Sequence, residues 1–218
     1  MNLCESNNVA ARLIVSGNLR EAYRILQEQT AQACEALSSW GSNVDAEDPG
    51  YKTTEDQVSA TVLKNDEPLL QETNVFLLPF IIHNQFENQT LHTKLPAICA
   101  ILVYNMAVCC HAFSYASKDD RKRQQALSQA RHLYSESTDL LRHLHLDGCL
   151  GQVFLGICTN MIELSFERAD LVGVHNWYSL LTEKFGQSES KHYDMALCDC
   201  AFRSVVYYSG RMISARAA

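Results

Sequence analysis

What this chain lacks narrows its function before any motif is read. It has no broad basic face: the formal charge is -7, and the one dense basic run, Arg121, Lys122 and Arg123, directly follows Asp119 and Asp120. Nucleic-acid binding rests on cations that displace counterions from phosphate, so the charge pattern argues against a nucleic-acid partner. The sequence also lacks a glycine-rich phosphate loop, a nucleophile elbow and an HExxH zinc motif. Those are the devices that cradle a phosphate, activate a serine or hold a catalytic zinc, so we expect neither a cofactor nor catalysis. The opening MNLCESNNVAARL carries neither the basic nor the apolar block of a signal peptide, which points to the cytoplasm or nucleus.

What is present fits a packed globular chain. Hydrophobic residues make up 47% and charged residues 20% of the 218 residues, so a single all-α domain over 1–218 is expected to bury a core without staples. The nine cysteines are odd in number and sit mostly inside apolar runs; they read as small buried hydrophobes in a reducing compartment. Acidic residues concentrate between Gly41 and Thr73, eight of them against Lys52 and Lys64. With Asp48-Pro49-Gly50 as a turn and no periodicity, 41–73 is expected to be a flexible acidic insertion, with a short helix at Gln57–Leu63.

Around this insertion the apolar periodicity is helical. Ala10, Leu13 and Ile14 share a face ended by Gly17, and Asn18 with Glu21 forms a capping box for a second helix striped by Leu19, Ala22, Tyr23, Leu26, Ala33 and Leu37. The run NVFLLPFII is apolar and interrupted by Pro79, so residues 74–94 are expected to form an extended strip laid across helices. Further helices are expected near Pro96 to Tyr115, Arg121 to His145, Leu150 to Arg168, from the capping Asp170 to Phe185, and from Tyr193 to Tyr208. Leu95 to Ser117 runs 23 residues without a charge, long enough to cross a bilayer, and a membrane-anchored protein with this span is the first alternative reading. Asn105 and His111 inside the run favour a buried central helix, because lipid offers their polar groups no partner.

Two echoes suggest repetition. Tyr104-Asn105-Met106 returns as Thr159-Asn160-Met161, and Ala130/Tyr134 returns as Val174/Tyr178, 44 residues later. With Gly17-Asn18-Leu19 before Ala22 and Leu26, and Asp170-Leu171 before Val174 and Tyr178, these residues resemble the tetratricopeptide repeat. The order of a VFLLP strip, a YNMAVCCH helix, an ALSQARHLYSES helix and a TNM helix is similar to expanded tetratricopeptide-like proteins of eukaryotes. The resemblance implies antiparallel helix pairs stacked as a superhelix or bundle, working as a scaffold or adaptor for a protein or peptide partner. In such arrays the first helix of each pair lines a groove where asparagines hold a bound peptide backbone. That implies Asn105 and Asn160 as partner-binding residues; the alternative reading of a mid-helix Asn in an apolar bundle is that it satisfies a neighbouring loop carbonyl. Lysines that would clamp a carboxylate tail are missing from 95–117 and 146–168.

Glu163, among the apolar neighbours of MIELSF, is a lone carboxylate and reads as a third partner-binding residue rather than a catalytic one. The best metal-like cluster is His143, His145 and Cys149, and a small metal-dependent helical enzyme built on it is the second alternative. Positions two apart on a helix point to nearly opposite faces, so these histidines read instead as favourable charges near a helix terminus, and no metal is expected. The same objection meets Cys198 and Cys200.

Overall fold

The computed structural model describes residues 2–41, 58–63, 76–83, 91–142, 144, 146, 148–187, 197–204 and 206–207. The chain is mostly helical, with packed helix pairs. Six helices and two short strands have clear limits: α1 Leu3–Val15, α2 Leu19–Gly41, β1 Ala60–Val62, β2 Phe80–Ile82, α3 Leu91–Ala116, α4 Asp120–Leu141, α5 Gly148–Glu167 and α6 Leu171–Gln187. Residues 197–204 add a further helical stretch. The chain divides into two compact units: residues 1–64 with 78–145, and residues 65–77 with 146–218.

In the first unit, α1 begins on Asn2, whose side chain accepts the Cys4 N–H at 3.0 Å, satisfying a donor that the helix cannot. It ends in a Schellman turn. Gly17, at φ +81°, donates to the Ile14 carbonyl, and Asn18 N–H donates to Leu13 at 2.8 Å. These are the two reversed bonds that close a helix through a left-handed residue. The expected capping box is therefore replaced, because the Asn18 N–H is already taken and Glu21 pairs with Arg24 at 2.6 Å.

α3 fills the centre of this unit. Every residue from Ala97 to His111 is buried, as expected of a helix that is apolar all round. It packs against α2 and α4. Ser137 on α4 pins one contact by donating to the Ala100 carbonyl of α3 at 2.8 Å, and Gln129 on α4 donates to the Tyr23 hydroxyl of α2 at 2.6 Å. α3 starts at Leu91 rather than near Pro96, so 91–94 belong to a helix and not to the strip. The missing N–H of Pro96 removes only one bond near the helix start. α4 starts on Asp119, which accepts from Arg121 and Lys122. It ends at Leu141, short of the expected His145.

The short helix predicted at 57–63 is not formed over the described residues 58–63, which instead carry a strand at Ala60–Val62. Val58, Ala60 and Val62 are buried while Ser59 and Thr61 are exposed, a period of two that matches a sheet and not a helix. β1 pairs with β2 antiparallel, Ala60 opposite Ile82 and Val62 opposite Phe80. The rest of the acidic insertion from 42, and positions 74, 75 and 84–90 of the strip, lie outside the described residues.

In the second unit, α5 is buried without interruption from Leu150 to Ile162 and packs on α6. The turn between them repeats the one after α1. Ala169, at φ 55°, donates to Phe166 at 2.9 Å, and Asp170 N–H donates to Ser165 at 2.9 Å. Asp170 then caps α6 by accepting from the Gly173 N–H at 2.9 Å.

α3 and α5 are both long and apolar enough to cross a membrane by length and composition, and 89% and 83% of their most apolar windows are buried inside the protein.

Candidate functional site

An extended strand has two edges, since successive residues turn their N–H and C=O groups to opposite sides. On one edge of residues 78–83 the partner is β1. Leu63 N–H donates to the Pro79 carbonyl at 2.8 Å and His83 N–H donates to Ser59 at 2.9 Å, so the odd-numbered residues face β1. Pro79 has no N–H to give and is used only as an acceptor, the role open to proline at a strand end.

The other edge, formed by the even-numbered residues, meets asparagine amides instead of a strand. Asn105 on α3 accepts the Phe80 N–H at 2.9 Å and donates to the Phe80 carbonyl at 2.8 Å. Asn8 on α1 does the same to Ile82, with both bonds at 2.7 Å. Asn7 donates to the Phe80 carbonyl at 3.0 Å and accepts from Asn105 at 2.8 Å. Tyr104 adds a hydroxyl donor 3.4 Å from the Leu78 carbonyl. Asn105 thus uses its oxygen and both amide hydrogens, which is why a fully buried amide is tolerated in this core.

Among its described residues, the second unit holds one such bracket. Asn160 on α5 accepts the Phe76 N–H at 2.7 Å and donates to the Phe76 carbonyl at 2.8 Å, and both residues are buried. Glu163 lies one helical turn further along α5, half-buried, and its charge acts on the Cys200 thiol. Burial, ahead of Glu163 and Asp199, pushes that thiol up to about 12.

Each bracket has the same chemistry. A primary amide offers a donor and an acceptor at the spacing of a peptide's own C=O and N–H, so it mimics the edge of a neighbouring strand. Each also occupies the first helix of a hairpin. Asn8 and Asn160 each precede the capping residue of the next helix, Asn18 and Asp170, by ten residues, and Asn105 precedes Asp119 by fourteen. The difference is about one helical turn.

Of the residues expected from sequence, Asn105 and Asn160 thus each bracket one residue of the extended segment, and Glu163 shares the helix face of Asn160. Asn7 and Asn8 were missed. The signal was there: Asn7 stands on the face of Ala10, Ala11 and Ile14, at helical spacing i+3, i+4 and i+7, where a polar residue needs an internal partner.

Burial dominates the remaining titratable chemistry. It raises the thiols of Cys4 to about 11 and of Cys99 and Cys110 to about 12, and lifts those of Cys109 and Cys158 further, which keeps them protonated and unreactive. His111 is fully buried, and neither ring nitrogen has a hydrogen-bond partner. Desolvation pushes its pKa down to about 3. Among the described residues no group of three His, Cys, Asp or Glu side chains could hold a metal ion; His143 and His145 lie outside them, and Cys149 is half-buried.

No protein-family profile, curated protein or solved structure matches the chain.

Proposed function

We propose that this chain is a tetratricopeptide-like interaction scaffold whose first helices hold extended polypeptide through asparagine amides. The observation that carries the reading is the double bracket: Asn105 and Asn160 each take both backbone groups of a single residue in an extended segment. Such a bracket recognises backbone conformation and leaves side chains to be read separately, the logic of strand addition. Leu78 to His83 in the first unit, and Phe76 in the second, are then built-in ligands, each at the bracket of its own unit. The shared turns Gly17-Asn18 and Ala169-Asp170 support a repeated helix hairpin, as do the similar depths of Asn8, Asn105 and Asn160 before their caps. The acidic segment 41–73 would add electrostatic steering toward a basic partner surface. The reading places the chain in the cytoplasm or nucleus and gives it a binding role without catalysis.

Crosslinking with mass spectrometry in native lysate tests it, comparing wild type with Asn105→Ala plus Asn160→Ala, with circular dichroism reporting helicity. The proposal expects the double variant to stay helical and to lose or exchange specific neighbours. An identical neighbour list from a helical double variant would remove the assignment.

A further inference from the structure

We infer that the α1 and α3 surface of the first unit is a receptor for extended segments supplied in trans, reading an aromatic residue and an aliphatic residue two positions later. The inference rests on the scaffold reading and names the ligand class of its site in that unit.

The backbone contacts define the general requirement. Asn105 and Asn8 bracket Phe80 and Ile82, and only an extended segment turns both backbone groups of alternate residues to one edge. A helical segment spends those groups on its own hydrogen bonds and does not fit.

The side chains define specificity. Phe80 is fully buried, its ring 5.3 Å from that of Tyr104 in an edge-to-face arrangement, and Tyr104 is fully buried too. Such ring pairs add to simple burial, so this position favours an aromatic residue. Ile82 is 2% exposed. A charged residue at either position would be buried without a partner, which excludes it. The position before the aromatic faces β1 and needs only an acceptor, so proline fits there, as Pro79 does. Proline also keeps the residue before it extended. The cognate ligand is therefore a segment of the form Pro-aromatic-x-aliphatic, uncharged at the aromatic and aliphatic positions.

Exchange is chemically balanced. An incoming segment of this class remakes every bond that the resident gives up, so the two states differ mainly through the resident's covalent tether and its high effective concentration. Apparent affinity for an added segment is reduced by the fraction of molecules whose surface is occupied. Weakening the resident therefore raises it.

The test uses the full chain and a fluorophore-labelled peptide of residues 78–83, LPFIIH, followed by anisotropy. Wild type is compared with Phe80→Leu, and with Ile82→Ala as a second variant in case the first fails to fold. We expect saturable binding to a folded variant, roughly ten-fold tighter than to wild type. N-methylation of the peptide at its phenylalanine, which removes the hydrogen bond to Asn105, should abolish it. Absence of saturable binding to a folded variant, or equal binding of the N-methylated peptide, overturns the inference. That failure stays separate from failure of the scaffold reading, which is judged by the crosslinked neighbours.

Discussion

Two kinds of buried polar residue share the core of the first unit, and their partners separate them. Asn105 has every amide position satisfied. His111, six residues along the same helix, has ring contacts with Tyr115 at 5.6 Å and Tyr134 at 6.1 Å but no hydrogen bond at either nitrogen. Its pKa is held near 3 in the folded chain against an ordinary 6.5. The unfolded chain therefore binds a proton at His111 that the folded chain refuses between those limits. Stability is complete above pH 6.5 and declines as pH falls toward 3, at up to roughly 1.4 kcal/mol per pH unit from this residue. His111→Phe should flatten that decline. Urea denaturation of wild type and variant between pH 7 and pH 4 checks it, and parallel pH profiles would show that His111 is not the group responsible. Asn105 and His111 were both legible as interior polar residues of an apolar run. The resemblance singled out Asn105, but that its partner would be Phe80 was not legible, because the strip comes from another part of the chain.

At the scale of elements, the turns after α1 and α5 use the same pair of reversed hydrogen bonds with different residues at the left-handed position. Gly17 adopts φ +81° without steric cost, whereas Ala169 holds φ 55° against its own Cβ. Ala169→Gly should therefore raise stability by about 1 kcal/mol, and Gly17→Ala should lower it by a similar amount. Nothing lies within 4 Å of a Cβ built on Gly17, so its cost is conformational and not a clash. Thermal unfolding of the two variants provides the check; opposite signs are expected, and equal signs would refute the shared turn. Helix positions were readable from the stripes and caps, with α4 shorter and α3 longer than expected. The strands were harder. Ser59 to Val62 alternates cleanly, but the run is short, and its strand state depends on β2, which lies 18 residues on from Val62.

At the scale of the whole molecule, the sequence conveyed the mostly helical class, the packed pairs and two of the three bracketing asparagines. It did not convey a single repeat length, and the reason is physical. The Asn105 to Asn160 echo spans 55 residues and the Ala130 to Val174 echo spans 44. α3 carries its asparagine about one helical turn further from the next cap than α5 does, and Ala130 lies eleven residues past Asp119 where Val174 lies four past Asp170, so no single spacing can align both. Nor could the sequence show that the asparagines would meet the chain's own strip, since each bracket joins residues 25 or more positions apart.

Hydrogen exchange at single amides tests the asparagine brackets most directly. Phe80 and Ile82 should exchange slowly in wild type, because their N–H groups are buried on Asn105 and Asn8. Asn105→Ala removes the bonds that Asn105 makes to the Phe80 N–H and to Asn7 Oδ1, at a cost of about 1–3 kcal/mol for each. Exchange at Phe80 should then accelerate by at least roughly ten-fold more than exchange in the interior of α5. Rapid exchange of Phe80 and Ile82 in wild type, or no selective change at Phe80 in the variant, would contradict the account.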